Sequence, residues 1–415
     1  MRYALTTGPK HNFVGFHDIC PWSEDENFFA YHSTNLFDKM PTGEDSASIL
    51  VKNLLTNEEK EIAKTRAWNF HQGARLQWVP GSSNKLVFND ITEEGVMKSV
   101  IFNLEDGSRK ELSLPIYAIH PSGKFGIGVN FERLKRYGGY GYEGRFPISD
   151  CNKSLPSDDG LFGVDLETGE SRLLLSIKKV SYFENFPGQD EKHFLTHIAF
   201  NKTGSRICFV HKWKMRDGGF WNRFISSSFD GTDLFLLPGH ISHFNWIDDE
   251  KIIGFGRNRT NLMKMRKSGI LTFPLFKPIL WISRKIKGKA RQKIIGDRYM
   301  VFVDKTKKTT SVGESFLTED GHPSVSVDGK WMITDTYPDE SHNRKLLLYD
   351  LKNNLGKIIG EYYSIPDGIR DTSWELSEMR CDLHPRWNRS GKKVCFDSVH
   401  EGTRQVYIHD LSTII

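Results

Sequence analysis

His384-Pro-Arg-Trp-Asn-Arg-Ser-Gly-Lys-Lys-Val-Cys-Phe396 reads as a tight turn ending near Gly391, followed by an alternating strand. The same design returns as His322-Pro-Ser-Val-Ser-Val-Asp-Gly-Lys-Trp-Met-Ile333. It returns again as His197-Ile-Ala-Phe-Asn-Lys-Thr-Gly-Ser-Arg-Ile-Cys-Phe209 and as His243-Phe-Asn-Trp-Ile-Asp-Asp-Glu-Lys-Ile-Ile253. More diverged copies begin near Ile19, Arg75 and Tyr117, which brings the number of units to seven. A period of roughly 40 to 60 residues marks a radially repeated or stacked architecture.

A second element closes the units. Asn103-Leu104-Glu105-Asp106-Gly107, Asp165-Leu166-Glu167-Thr168-Gly169, Phe229-Asp230-Gly231 and Asp350-Leu351-Lys352-Asn353-Asn354 carry the turn chemistry that joins antiparallel strands. The apolar runs between the two elements, such as Lys85 to Asn89, are too short for helices and suit strands. Four short strands in each of seven units predict an all-β, seven-bladed β-propeller. The last unit ends at Tyr407-Ile408-His409-Asp410-Leu411 without an outer strand, while Arg2 to Thr7 is a spare strand at the other end. The N-terminal strand is therefore expected to complete the last blade, making residues 1–415 a single propeller domain. An apolar and basic insertion interrupts it at about 267–293. Within this insertion, Phe273, Leu275, Phe276, Ile279, Leu280, Trp281 and Ile282 precede Arg284, Lys285, Lys287, Lys289, Arg291 and Lys293. Such a segment, 271–293, has the character of a peripheral membrane contact with anionic lipid, or of a blade insertion with a solvated basic face.

Composition narrows the functional classes. The chain has 415 residues, 38% hydrophobic and 26% charged, enough for a folded core and too varied for disorder. A net charge of +5 tolerates anionic partners but falls short of a dedicated nucleic-acid binder, so no nucleic acid is expected. Five scattered cysteines without CxxC spacing suit a reducing compartment. With no secretory signal pattern in Met1 to Phe16, the expectation is a cytoplasmic protein, peripheral at the inner membrane face if the insertion meets lipid.

The first strand of each blade lines the central channel, so equivalent residues of different blades converge. His197, His243, His322 and His384 hold one repeat position in four consecutive blades, and Cys381 lies three residues before the last. Imidazoles and a thiolate meeting at one point suit a divalent cation, Zn or Mn; the alternative is that each histidine bonds a neighbouring backbone. A second cluster comes from the early blades. Asn69-Phe70-His71-Gln72-Gly73-Ala74-Arg75 and Asn130-Phe131-Glu132-Arg133-Leu134-Lys135-Arg136-Tyr137-Gly138-Gly139-Tyr140-Gly141-Tyr142 place polar, cationic and phenolic groups at a blade start and in a long inter-strand loop.

These segments, with Gly15-Phe16-His17-Asp18 and the Cys381 to Asp397 repeat, resemble the seven-bladed propeller polysaccharide lyases, the oligogalacturonate and ulvan lyases. The resemblance implies β-elimination on an anionic, uronic-acid-containing oligosaccharide or polysaccharide. It makes His71 the base and Tyr140 or Tyr137 the acid, with Gln72, Arg75, Asn130 and Arg133 binding the substrate. The chain departs from that pattern in two places. Asn89 and Asp90 stand where a second catalytic histidine is expected, and Arg380, Cys381 and Asp382 replace a richer metal-binding set near His384. Two functions therefore stay open: a lyase, or a non-catalytic glycan-binding or surface-polysaccharide-biosynthesis propeller. A hydrolase would need a carboxylate pair, and Asp18, Asp90, Glu132 and Asp382 offer no discriminating spacing.

Overall fold

The computed structural model describes residues 1–184, 191–215, 218–257, 296–365 and 380–415. The expected insertion at 267–293 lies outside the described residues. The described strands form seven antiparallel sheets of four strands each. The innermost strands are His11–Phe13, Gln77–Trp78, Ile116–Ile119, His193–Phe200, His240–Trp246, Ser324–Val325 and Arg386–Trp387, one for each of blades 1 to 7. The fourth strand of blade 7 is Arg2–Ala4, paired with Gln405–Asp410 through Arg2↔His409, Tyr3↔Ile408 and Ala4↔Tyr407. The N-terminal strand thus closes the ring. No helix among the described residues is long and apolar enough to cross a membrane.

The core lies between neighbouring blades rather than inside any one. Ile333, Leu346, Leu348 and Tyr362 of blade 6 pack on Leu383, Trp387, Val394, Phe396 and Tyr407 of blade 7. Alternation along each strand supplies an apolar set for the adjacent sheet. The recurring tryptophan adds a directional tie. The indole N–H groups of Trp78, Trp246 and Trp387 donate to the carbonyls of Pro21 (2.7 Å), Ala199 (3.1 Å) and Ser324 (3.1 Å), each in the preceding blade. A large ring whose one polar atom finds a partner suits such a boundary.

A second tie runs the other way, from the end of a blade's second strand to the start of the next blade. His32 Nε2 accepts from Ala74 N at 3.0 Å, and Asn89 bonds both N and O of Ile116 at 2.8 and 2.9 Å. Asp335 accepts from His384 N at 3.2 Å, and Asp397 accepts from Val14 N at 3.1 Å and Gly15 N at 3.4 Å. Each group satisfies backbone donors that have no ladder partner at a blade start. Gly73 is required beside His32: its φ is +57°, and a Cβ there would meet the imidazole at 2.4 Å.

Phe131–Tyr137 is a helix, where the sequence predicts a long inter-strand loop. The Asn130 side chain accepts from Arg133 N at 2.9 Å as N-cap, and Gly138 ends the helix in the left-handed region at φ 100°. Both signals are present in the sequence, but the flanking strand repeat masks them.

Deleting residues 1–6 removes the closing strand, and the amides of Gln405–Asp410 should then exchange with deuterium at least about tenfold faster. Unchanged protection in hydrogen-exchange mass spectrometry would show that the ring closes without it.

Candidate functional site

The blade starts do converge, but their common centre holds a side chain. Phe16, buried at 2% exposure, places its ring 5.4 Å from His197, 6.5 Å from His243, 6.2 Å from His322 and 5.2 Å from His384. The expected cation at the meeting point of those four histidines is corrected: a benzene ring fills it. Arg75, His197 and His384 all stand in the left-handed region, at φ 52°, 53° and 42°. This conformation is uncommon for residues with a Cβ, and it recurs here at one repeat position.

Around Phe16 the imidazoles form an arc. His71 lies 6.4 Å from His384, which lies 4.2 Å from His322, which lies 4.3 Å from His243, which lies 6.1 Å from His197. Three carboxylates back four of them. Asp335 sits 2.8 Å from His322 Nδ1, Asp320 lies 3.2 Å from His243 Nδ1, and Asp382 faces both His71 and His384. The pairs are not electrically equivalent. Burial works against charge on His322, but Asp335 outweighs it and raises the pKa above the ordinary histidine value. Burial lowers His243, and the neighbouring His322 lowers it further, against Asp320. The two imidazoles are thus pushed in opposite directions, His322 toward the charged form and His243 toward the neutral one.

Among the described residues one group of three has ligand atoms close enough to share an ion: His71, Asp382 and His384, all within 4.8 Å of one another. Asp382 Oδ2 lies 3.3 Å from His71 Nδ1 and 3.7 Å from His384 Nε2. These separations bracket the edge of about 3.4 Å expected for a tetrahedral ion with bonds of about 2.1 Å. His384 Nδ1 donates to Gly15 O at 2.8 Å, which fixes the tautomer and leaves a lone pair on Nε2. That Nε2, like His71 Nε2, is buried without a hydrogen-bond partner. Burial and the charge of His322 hold His384 well below the usual histidine value, so it is a neutral ligand. Burial opposes ionisation of Asp382, but Arg344, at its other oxygen, and His71 drive its pKa well below the carboxylate range. Two imidazoles and an ionised carboxylate fit a divalent cation. Of the histidines and cysteine expected at a metal, His384 is the one in this group. Cys381 is buried, its thiol pushed up to about 12 by burial, and its Sγ turns toward the Asp382 carbonyl. A metal needs the thiolate, which that environment disfavours.

The expected substrate binders separate. Tyr140 stacks on His71 with ring centroids 4.6 Å apart, placing the phenol at the site. Tyr137 instead donates to Cys151 O at 3.0 Å, and Gln72 donates to the Tyr117 hydroxyl at 3.2 Å. Arg75 is buried and doubly bonded to Asp18, at 3.0 and 2.8 Å, with its ring of donors completed by Tyr117 O. Arg133 is buried and donates to the carbonyls of His193, Cys151, Lys153 and Ser154, beside Asp159. Asn130 caps the helix and bonds Asp159 at 2.9 Å. These three therefore serve the fold, and Asn89 is an interblade tie in place of a second histidine.

Sequence reasoning missed Arg344, Asp335, Asp320 and Tyr337, which complete the site. Tyr337 lies 6.1 Å from His322 and 5.6 Å from the Arg344 guanidinium. A signal for Asp335 was present: Tyr31-His32, Phe88-Asn89, Thr334-Asp335 and Phe396-Asp397 put a polar residue at one position of four blades.

No family model matches the sequence, and no curated protein does. Solved structures do match. An oligogalacturonate lyase from Vibrio parahaemolyticus superposes with a TM-score of 0.61 at 12% identity, covering 99% of this chain and 93% of that one. An oligogalacturonate lyase in complex with manganese gives 0.63 at 12% identity, covering 99% and 92%. The propeller domain of the Trilobed protease from Pyrococcus furiosus gives 0.51 at 10% identity, covering 97% and 96%. The shared feature is the fold. Propellers with lyase and protease associations both match, so chemistry has to be argued from the site.

Arg344→Ala leaves Asp382 buried without its cation and should cost about 3–5 kcal/mol in chemical denaturation. A loss below 1 kcal/mol would mean that the pair contributes little. The His322–Asp335 pair stabilises the fold between two limits. The His322 part is complete below the unfolded histidine pKa and is lost as pH rises through the raised folded value. The Asp335 part is present above the unfolded carboxylate pKa and is lost as pH falls through the lowered one. Imidazole NMR titration should accordingly find His322 above the ordinary histidine value, with His243 and His384 below it.

Proposed function

We propose that this protein is a lyase that cleaves a uronate-containing oligosaccharide by β-elimination at the channel mouth, with a divalent cation held by His71, Asp382 and His384. The observation that carries this reading is the buried His71, Asp382 and His384 group, with the Tyr140 phenol stacked on one of its imidazoles. The manganese complex of a structurally similar lyase supports the ligand chemistry. When bound, the cation supplies Lewis acidity that draws charge from the substrate carboxylate and makes the C5 proton easier to remove.

The remaining roles fall to the chain's own groups. In this reading His71 is a ligand rather than the base, and His243 accepts the C5 proton. Its Nδ1 faces Asp320 Oδ1 at 3.2 Å and Ser242 Oγ at 3.1 Å, which orients the ring, and its lowered pKa keeps it neutral and ready. His322 beside it, whose protonated form Asp335 stabilises, faces the same site. Tyr140 gives a proton to the departing sugar oxygen, while Arg344 positions Asp382.

Uronate oligosaccharides incubated with protein and Mn²⁺ should develop the ultraviolet absorbance of an unsaturated uronate. His243→Ala should lower kcat/KM by about 10²–10⁴-fold, and His384→Ala should abolish Mn²⁺ binding in calorimetry. Because the base must be unprotonated, the acid limb of kcat/KM should fall below the ordinary histidine pKa, through the lowered value of His243. Sugar binding with no absorbance change, metal bound and protein folded, would make the protein a glycan-binding propeller instead.

A further inference from the structure

We propose that Lys212 and His197 form a second anion subsite, which takes the carboxylate of the sugar unit next to the one held at His71, Asp382 and His384. The uronate character of the substrate comes from the lyase reading; the subsite itself comes from groups that reading leaves unused.

Lys212 lies on the second strand of blade 4, Arg206–Lys214, opposite Asn222. Asn222 reaches across to blade 5 and donates to Ile241 O at 2.6 Å, so this face of the strand looks toward blade 5 and the arc of histidines. Among the described residues the Lys212 ammonium makes no hydrogen bond and no ion pair; its one direct partner is the Phe220 ring, 5.6 Å below it. A half-buried cation without an acceptor costs free energy unless something else supplies one. Asp320 is the nearest carboxylate to influence it, yet both Asp320 oxygens are engaged, Oδ2 by Ser242 Oγ at 2.6 Å and Oδ1 by His243 Nδ1 at 3.2 Å. Burial lowers the Lys212 pKa to about 8, opposed by Asp320, so the amine still carries its charge at neutral pH.

The neighbouring group has the same deficiency. His197 Nδ1 is buried without a hydrogen-bond partner, and the charge of Lys212 acts on this imidazole after burial itself. A cation without an acceptor and an imidazole nitrogen without a partner, able to donate in one of the ring's two tautomers, make a pole that an oxyanion would complete. The blade 4 pole stands at one end of the histidine arc and the His71, Asp382 and His384 group at the other. Between them Tyr337, 38% exposed and 6.1 Å from His322, offers a ring face on which a sugar can lie. The arrangement reads two successive carboxylates along one chain, a selectivity for adjoining uronates over isolated ones.

The test uses calorimetry on the full chain with Mn²⁺, comparing a di-uronate disaccharide with a disaccharide of the same linkage that carries one uronate. The wild type should bind the di-uronate about tenfold more tightly. Lys212→Met should bring the di-uronate affinity down to that of the mono-uronate, Lys212→Arg should keep most of the difference, and thermal midpoints of both variants should match the wild type. The proposal is overturned if Lys212→Met weakens both sugars equally, if it leaves di-uronate binding intact, or if the wild type does not discriminate. A persistent di-uronate preference in a protein that forms no unsaturated product would sink the lyase reading and leave the subsite standing. Failure to bind either sugar would sink both.

Discussion

Blades of a propeller share no continuous sheet, so backbone donors at a blade start that lack a ladder partner need side-chain acceptors, several of them from the blade before. That constraint organises this molecule. His32, Asn89, Asp335 and Asp397 each stand at the end of a second strand and reach forward to the next blade start. The tryptophan indoles reach backward to the blade before. Apolar contact between sheets supplies most of the attraction, but it is non-directional; the polar ties decide how one blade is placed against the next.

The candidate site grows out of these ties. Asp335 holds the His384 backbone in place and at the same time pairs with the His322 side chain. One carboxylate thus sets the position of one imidazole and raises the pKa of its neighbour. Asp382 is similarly shared, with Arg344 on one oxygen and the two imidazoles on the other. Phe16, from the start of blade 1, fills the centre and displaces the chemistry to one side. Polar groups so deeply placed are tolerable where they have partners; among the described atoms without one, His71 Nε2 and His384 Nε2 lie at the candidate site.

Much of the architecture was readable because it is local. Each blade start is a short string that ends in a turn, and seven of them can be counted without knowing how they meet; the spare N-terminal strand follows from a missing one at the other end. The site was less legible for a geometric reason. Arg344 and Asp382, or Asp335 and His384, are far apart in sequence and belong to different blades, so no spacing rule connects them. Residue type misled as well. Asn130, Arg133 and Arg75 look like substrate contacts, yet a helix cap and two buried guanidinium clusters use the same groups. Asn89, which stands where the resemblance leads one to expect a second histidine, bonds Ile116 as an interblade tie.

The closing strand also sets the order of events during synthesis. Arg2–Ala4 leaves the ribosome long before its partner, Gln405–Asp410. At about 5–20 residues per second, the strand waits roughly 20 to 80 s before its ladder exists. In that interval blades 1 to 6 can form in turn while the seventh stays incomplete, and the loose end is a template for pairing with another chain. Its brevity, only three residues, and the cation at Arg2 limit that hazard during the wait.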